Sequence, residues 1–175
     1  MSRLPFLCLA LTLPATGLLA QDTSHAGHNH MDHAAHHPAP AGDSGFAALQ
    51  QRGGVYMGVD QSKAAHRFDA LPDGGRIELL SVTGDSADVA AIRRHFRMIV
   101  DQFAAGDFET PFAVHAEPVP GTAVMQERRD KISYQRTDLP RGAALRLVTR
   151  DGEALKAIHE FMAYQRREHR APGLE

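Results

Sequence analysis

Leu71-Pro72-Asp73-Gly74-Gly75 and Leu139-Pro140-Arg141-Gly142-Ala143 repeat one turn signal at two distant places in the chain. Proline presets φ at a turn corner, and glycine accepts backbone that other residues resist, so each stretch reads as a hairpin turn. Strand-like runs flank both turns: residues 66–70 and 75–83 around the first, 132–138 and 143–149 around the second. Each hairpin is followed by Thr-x-Asp, as Thr83-Gly84-Asp85 and Thr149-Arg150-Asp151, and then by a helix pattern containing Ala-Ile, as Ala91-Ile92 and Ala157-Ile158. The first helix pattern covers residues 86–105, with Val89, Ile92, Phe96, Ile99, Val100 and Phe103 on one stripe and Gly106 as its stop. The second covers residues 152–167, with Leu155, Ile158 and Met162 as its stripe. A hairpin with one apolar face and a helix too short to stand alone must share a core with its counterpart. The expectation is an α+β domain: two ββα units forming a four-stranded antiparallel sheet with two helices packed on one face.

Between the repeats, residues 107–130 read as a long loop, because Pro111, Pro118, Pro120 and Gly121 interrupt them. Upstream, Asp43 or Ser44 can cap a short helix through Phe46, Leu49 and Gln50 that stops at Gly53-Gly54. A short apolar segment follows at residues 55–59. Residues 46–175 are therefore expected to form a single α+β domain.

Two segments precede it. Arg3 ahead of an apolar run that ends in small residues marks residues 1–20 as a signal peptide, and that run is too short and too broken by Pro5 and Pro14 to span a bilayer. Its removal takes away Cys8, the only cysteine, and moves the formal charge from −2 to −3. The protein is then exported, periplasmic or secreted, without a disulfide, a thiolate or a stable membrane segment. Residues 21–45 are rich in His, Ala, Gly, Pro and Asp, offer nothing to bury, and read as a disordered arm and linker. The near-zero charge and the lack of a large basic patch argue against nucleic acid as a dominant partner; a protein partner is not legible.

Histidine is the outlier in composition. Six of the 11 histidines lie in the arm: His25, His28, His30, His33, His36 and His37, with Met31 among them. Imidazole binds Cu(II), Ni(II) and Zn(II), and a thioether adds affinity for Cu(I). The other five, His66, His95, His115, His159 and His169, are single residues in the domain. By period two His66 shares the face of Phe68, and His95 flanks the first helix stripe. His115 lies in the long loop with Met125, and His169 sits at the far end of the second helix. The best shared site is His66, His95 and His115, with Met125 as a fourth ligand; the alternative is that each histidine makes local hydrogen bonds at the core edge.

Catalytic signatures are missing. The chain has no Gly-rich phosphate loop and no Gly-x-Ser-x-Gly elbow, and His159-Glu160 lacks the second histidine of a zinc-protease helix.

Val59-Asp60, His66-x-Phe68, Ile92-Arg93-Arg94-His95-Phe96, Gly106-Asp107-Phe108, His115, Leu139-Pro140-x-Gly142, Ala157-Ile158-His159 and His169 give a pattern spread over some two thirds of the chain. In these residues the chain resembles a family of small exported bacterial proteins, many of which carry the inherited name aspartate carbamoyltransferase. It departs from that pattern at residues 61–65 and 117–125. The resemblance implies that the five domain histidines belong to a family pattern and not to the arm. The inherited name implies a transferase, yet true aspartate carbamoyltransferases resemble a two-domain α/β chain about twice this length with a Ser-Thr-Arg-Thr run. Here only Val148-Thr149-Arg150 approaches it.

The leading expectation is an exported protein that binds a transition metal, copper first with zinc and nickel as alternatives, for sequestration or delivery. An enzyme and a partner-binding module with structural histidines are the competing expectations.

Overall fold

The computed structural model describes residues 41–172. The signal peptide and the arm histidines lie outside the described residues. The chain order is α1 (Ala41–Met57), β1 (Ala64–Leu71), β2 (Gly74–Ser81), α2 (Ser86–Ala105), α3 (Glu109–His115), α4 (Thr122–Glu127), β3 (Ile132–Leu139), β4 (Gly142–Thr149) and α5 (Gly152–Glu168). Short 3₁₀ turns, Gln61–Lys63 and Arg129–Lys131, lead into β1 and β3.

Both turn signals make two-residue hairpins, with Leu71 opposite Gly74 and Leu139 opposite Gly142. The strands join into one antiparallel sheet of order β1-β2-β4-β3. Its centre is the β2–β4 pair, where Ile77 faces Leu145, Gly75 faces Leu147 and Leu79 faces Ala143. The Gly75–Leu147 and Leu79–Ala143 pairs are equivalent to each other and flank Ile77–Leu145, so a pseudo-two-fold axis runs through the Ile77–Leu145 pair. The same symmetry appears at the hairpin ends: Ser81 N–H donates to Arg141 O (2.7 Å) and Thr149 N–H to Asp73 O (3.0 Å). Asp85 and Asp151 cap their helices alike, each carboxylate accepting two backbone N–H groups of the first turn.

Ile77, Leu79, Leu145 and Leu147 form the buried face, and one core joins them to Ile92, Phe96 and Ile99 of α2 and to Ile158, Phe161 and Met162 of α5. Each helix crosses to the other repeat's hairpin: α2 lies on β3 and β4, while α5 lies on β1 and β2. Arg93 Nη2 on α2 donates to Leu139 O at 2.6 Å. At the equivalent place on α5, His159 Nε2 donates to Leu71 O at 2.8 Å. His159 is therefore a structural tie between helix and hairpin.

Three expectations change. Residues 107–130 hold two short helices, α3 and α4, and not a plain loop. Pro111 falls in the first turn of α3, where backbone N–H groups have no helical partner, and Pro118 and Pro120 sit between the two helices. The first helix neither starts at a cap on Asp43 or Ser44 nor stops at Gly53-Gly54: it runs from Ala41, inside the expected arm, to Met57. Gly53 serves close packing, since a Cβ there would lie 2.9 Å from the Gln61 side chain, and the real stop is Gly58 with φ +64°. On α5 the buried face is Ala154, Ala157, Ile158, Phe161 and Met162, with Leu155 only half-buried. Small alanines and Gly75 let that helix approach the sheet closely: a Cβ on Gly75 would be 2.6 Å from Met162 Cε.

Candidate metal centre

Four elements converge at one end of the core. β1 supplies His66 on the face it shares with Phe68, α2 supplies the buried His95, and α3 ends at the buried His115. α5 runs over β1 from the hairpin turn, where His159 meets Leu71, towards the start of the strand. Its C-terminal His169 is thereby carried to His66, the ring centroids 4.4 Å apart. His115 lies 5.2 Å from His169 by the same measure, with the rings nearly perpendicular at 87°. All four histidines line one cavity of about 60 Å³, walled by Phe68, Phe96, Ile99, Phe103 and Phe161. A single water needs about 10–15 Å³ of such space.

The hydrogen bonding of these rings is incomplete. His66 Nε2, His95 Nδ1 and His169 Nδ1 are buried and have no hydrogen-bond partner. Buried polar atoms are seldom left this way, because the lost hydration costs about 1–3 kcal/mol each. His115 is the exception: its Nε2 lies 3.0 Å from Gln165 Oε1. An amide oxygen only accepts, so in this orientation His115 carries its proton on Nε2 and keeps the lone pair of Nδ1 free. Outward from the rings, Tyr164 contacts His115 edge-on at 5.0 Å and donates its hydroxyl to Glu117. Arg52 Nε donates to Val114 O at 2.7 Å, tying α1 to the end of α3 beside the cavity.

Burial keeps these imidazoles neutral. Desolvation, helped by the neighbouring His95 and His115, pushes His66 down to about 4. Desolvation alone brings His95 to about 4. His169 falls to about 2, from desolvation and then from His66 and His115. His115 is also lowered by desolvation, against the opposing pull of its Gln165 hydrogen bond and of Glu168 and Glu117. A neutral imidazole with a free lone pair is the form that ligates metal.

Two imidazoles on one tetrahedral ion, with metal–nitrogen bonds of about 2.0–2.1 Å, have ring centroids about 5 Å apart. The His66–His169 and His115–His169 separations bracket that figure. Among the described residues, however, no group of three His, Cys, Asp or Glu side chains already converges on one metal position. Ligation therefore requires the rings to turn from these positions.

No protein-family model, curated protein or solved structure matches the chain.

The cavity brings together His66, His95 and His115, as the sequence suggested, but it changes their company. Met125 is fully buried in the core and does not line the cavity; its helix, α4, packs on α5. His169 was expected at a distance, yet it is central, since α5 runs the length of β1. Met57, the last residue of α1, also lines the cavity. At 100° per residue His169 falls in line with Ile158 and Met162, which is the signal in the sequence that points to it. The repeat also breaks here: Tyr134 stands where His66 has its counterpart and Phe161 where His95 has its own, so the second half of the sheet carries aromatic packing where the first carries imidazoles.

Proposed function

We propose that this chain is an exported transition-metal-binding protein, copper foremost, acting in sequestration or delivery. One ion is held in the domain by His66, His95, His115 and His169, and others are gathered by the arm histidines His25, His28, His30, His33, His36 and His37. The observation that carries this reading is the set of three partnerless buried imidazole nitrogens in one four-histidine cavity. Enzymatic turnover is less well supported. General acid–base groups work best with a pKa near the operating pH, whereas burial holds His66 and His95 near 4, and the cavity lining contains no Ser, Cys, Asp or Glu.

The test uses the chain with all six arm histidines changed to Asn, titrated with Cu(I), Cu(II), Zn(II) and Ni(II). About one equivalent of copper is expected to bind and to raise the melting temperature. A ligand at a hundredfold excess over its Kd stabilises by about 2.7 kcal/mol. His66→Ala and His169→Ala should each abolish the shift, while Met125→Leu should leave it intact. If no ion shifts the melting curve, and the histidine changes only destabilise, the four histidines are structural and metal binding belongs to the arm alone. Export has its own check: mass spectrometry of protein recovered outside the cytoplasm should show cleavage near Ala20, and a product that keeps Cys8 overturns it.

A further inference from the structure

We propose that Met57 is a soft ligand of the same cavity and makes it selective for Cu(I) over Zn(II), an inference that rests on the four-histidine reading. Met57 is the only thioether among the residues lining the histidine cavity. It lines the cavity half-buried, where most of its lining neighbours are buried. Its backbone is set by the end of α1, where Gly58 at φ +64° breaks the helix. Its sulfur accepts a long contact of 3.6 Å from Gln61 Nε2. Gln61 is itself held by donating to Val59 O at 2.8 Å and by lying against Gly53. The thioether is thus positioned but not consumed by a strong hydrogen bond.

Charge gives a second, independent reason. Every group lining the cavity is neutral: four imidazoles, one thioether, Thr110, Gln165 and apolar walls. No carboxylate lines it, and Glu117 and Glu168 act on His115 only from outside the lining. The cost of moving an ion out of water grows with the square of its charge, so a divalent ion loses about four times as much as a monovalent one. A buried site lined by neutral nitrogen and thioether donors therefore favours a soft monovalent ion, and Cu(I) is the one that such ligands select.

The experiment compares Met57→Leu with its parent, both as the full chain carrying Cys8→Ser, Met31→Leu and Asn at the six arm histidine positions. Cu(I) affinity is measured without oxygen against a chromogenic chelator, and Zn(II) affinity against a zinc-binding dye. Met57→Leu should weaken Cu(I) by about tenfold or more and change Zn(II) by less than about twofold. Copper X-ray absorption of the parent should show a sulfur scatterer that the variant lacks. The exchange conserves volume, so folding is preserved, and the absorption spectrum of the parent stands without the variant. Unchanged Cu(I) affinity, an equal fall for both ions, or a copper shell of nitrogen alone overturns the role of Met57 and leaves the histidine site standing. A parent that binds neither ion overturns the histidine site itself.

Discussion

Metal-free protein should lose most of its stability as the pH falls from about 6.5 to about 4. In the unfolded chain each histidine titrates near 6.5, whereas burial holds His66 and His95 near 4 and His169 lower still in the folded state. Between those values the unfolded chain binds more protons than the folded one, so stability rises with pH across the window and is lost on acidification. A displacement from 6.5 to about 4 corresponds to roughly 3 kcal/mol for each of His66 and His95 when both are fully protonated in the unfolded state. The rings interact, so they titrate as a set, and the sum is an upper figure. Even half of it is large against a typical domain stability of about 5–15 kcal/mol. The exposed carboxylates of Asp60 and Asp73, held low by Ser62 and Arg146, add to the loss only at the acid end of this window, where unfolded carboxyls begin to take up protons. Urea unfolding at pH 7, 6, 5 and 4 measures the effect. A midpoint that stays constant from pH 7 to pH 5 would show that the imidazoles are hydrated in the folded protein. His95→Gln, which cannot take up a proton, should flatten the profile.

Gly74→Ala and Gly142→Ala should each prevent stable folding or cost more than about 3 kcal/mol, beyond the usual range for overpacking. The two glycines are equivalent positions at the starts of β2 and β4, where each strand's first residue abuts the backbone of the other. A Cβ on Gly74 would lie 1.9 Å from Leu147 O, and one on Gly142 would lie 2.0 Å from Leu79 O. Neither obstacle is the flexible end of a side chain, so relief requires the central strands to separate and break the β2–β4 ladder. Gly74 also has φ +149°, a conformation that L side chains rarely adopt. Gly152→Ala is the control: nothing lies within 4 Å of its Cβ position, so its melting temperature should stay near that of the parent. Should Gly142→Ala melt within a few degrees of the parent, the register that joins the two hairpins is wrong.

The turn chemistry of residues 71–75 and 139–143 set two hairpins, and the apolar stripes after them set two helices and an α+β class, because those signals are local. Phe68 and the Val89–Phe103 stripe named much of the core for the same reason: period fixes which face a residue takes. Proline misled at residues 107–130, since composition does not distinguish a proline in a first helical turn from one in a loop. Gly53-Gly54 misled because a glycine needed for contact with Gln61 resembles a glycine that ends a helix.

The sequence by itself determined which elements form, which faces are apolar and which side chains are chemically able to bind metal, and it singled out His66, His95 and His115. Only the tertiary structure decided who meets whom. α5 crosses from its own hairpin onto β1, which brings His169 to His66, and the end of α1 brings Met57 to the same cavity while α4 buries Met125 elsewhere. Such choices depend on how two repeats interlock about the Ile77–Leu145 pair, a long-range arrangement that no local period encodes. Burial then did what sequence cannot show: it placed three imidazole nitrogens where no protein group hydrogen-bonds them, and it holds those rings neutral.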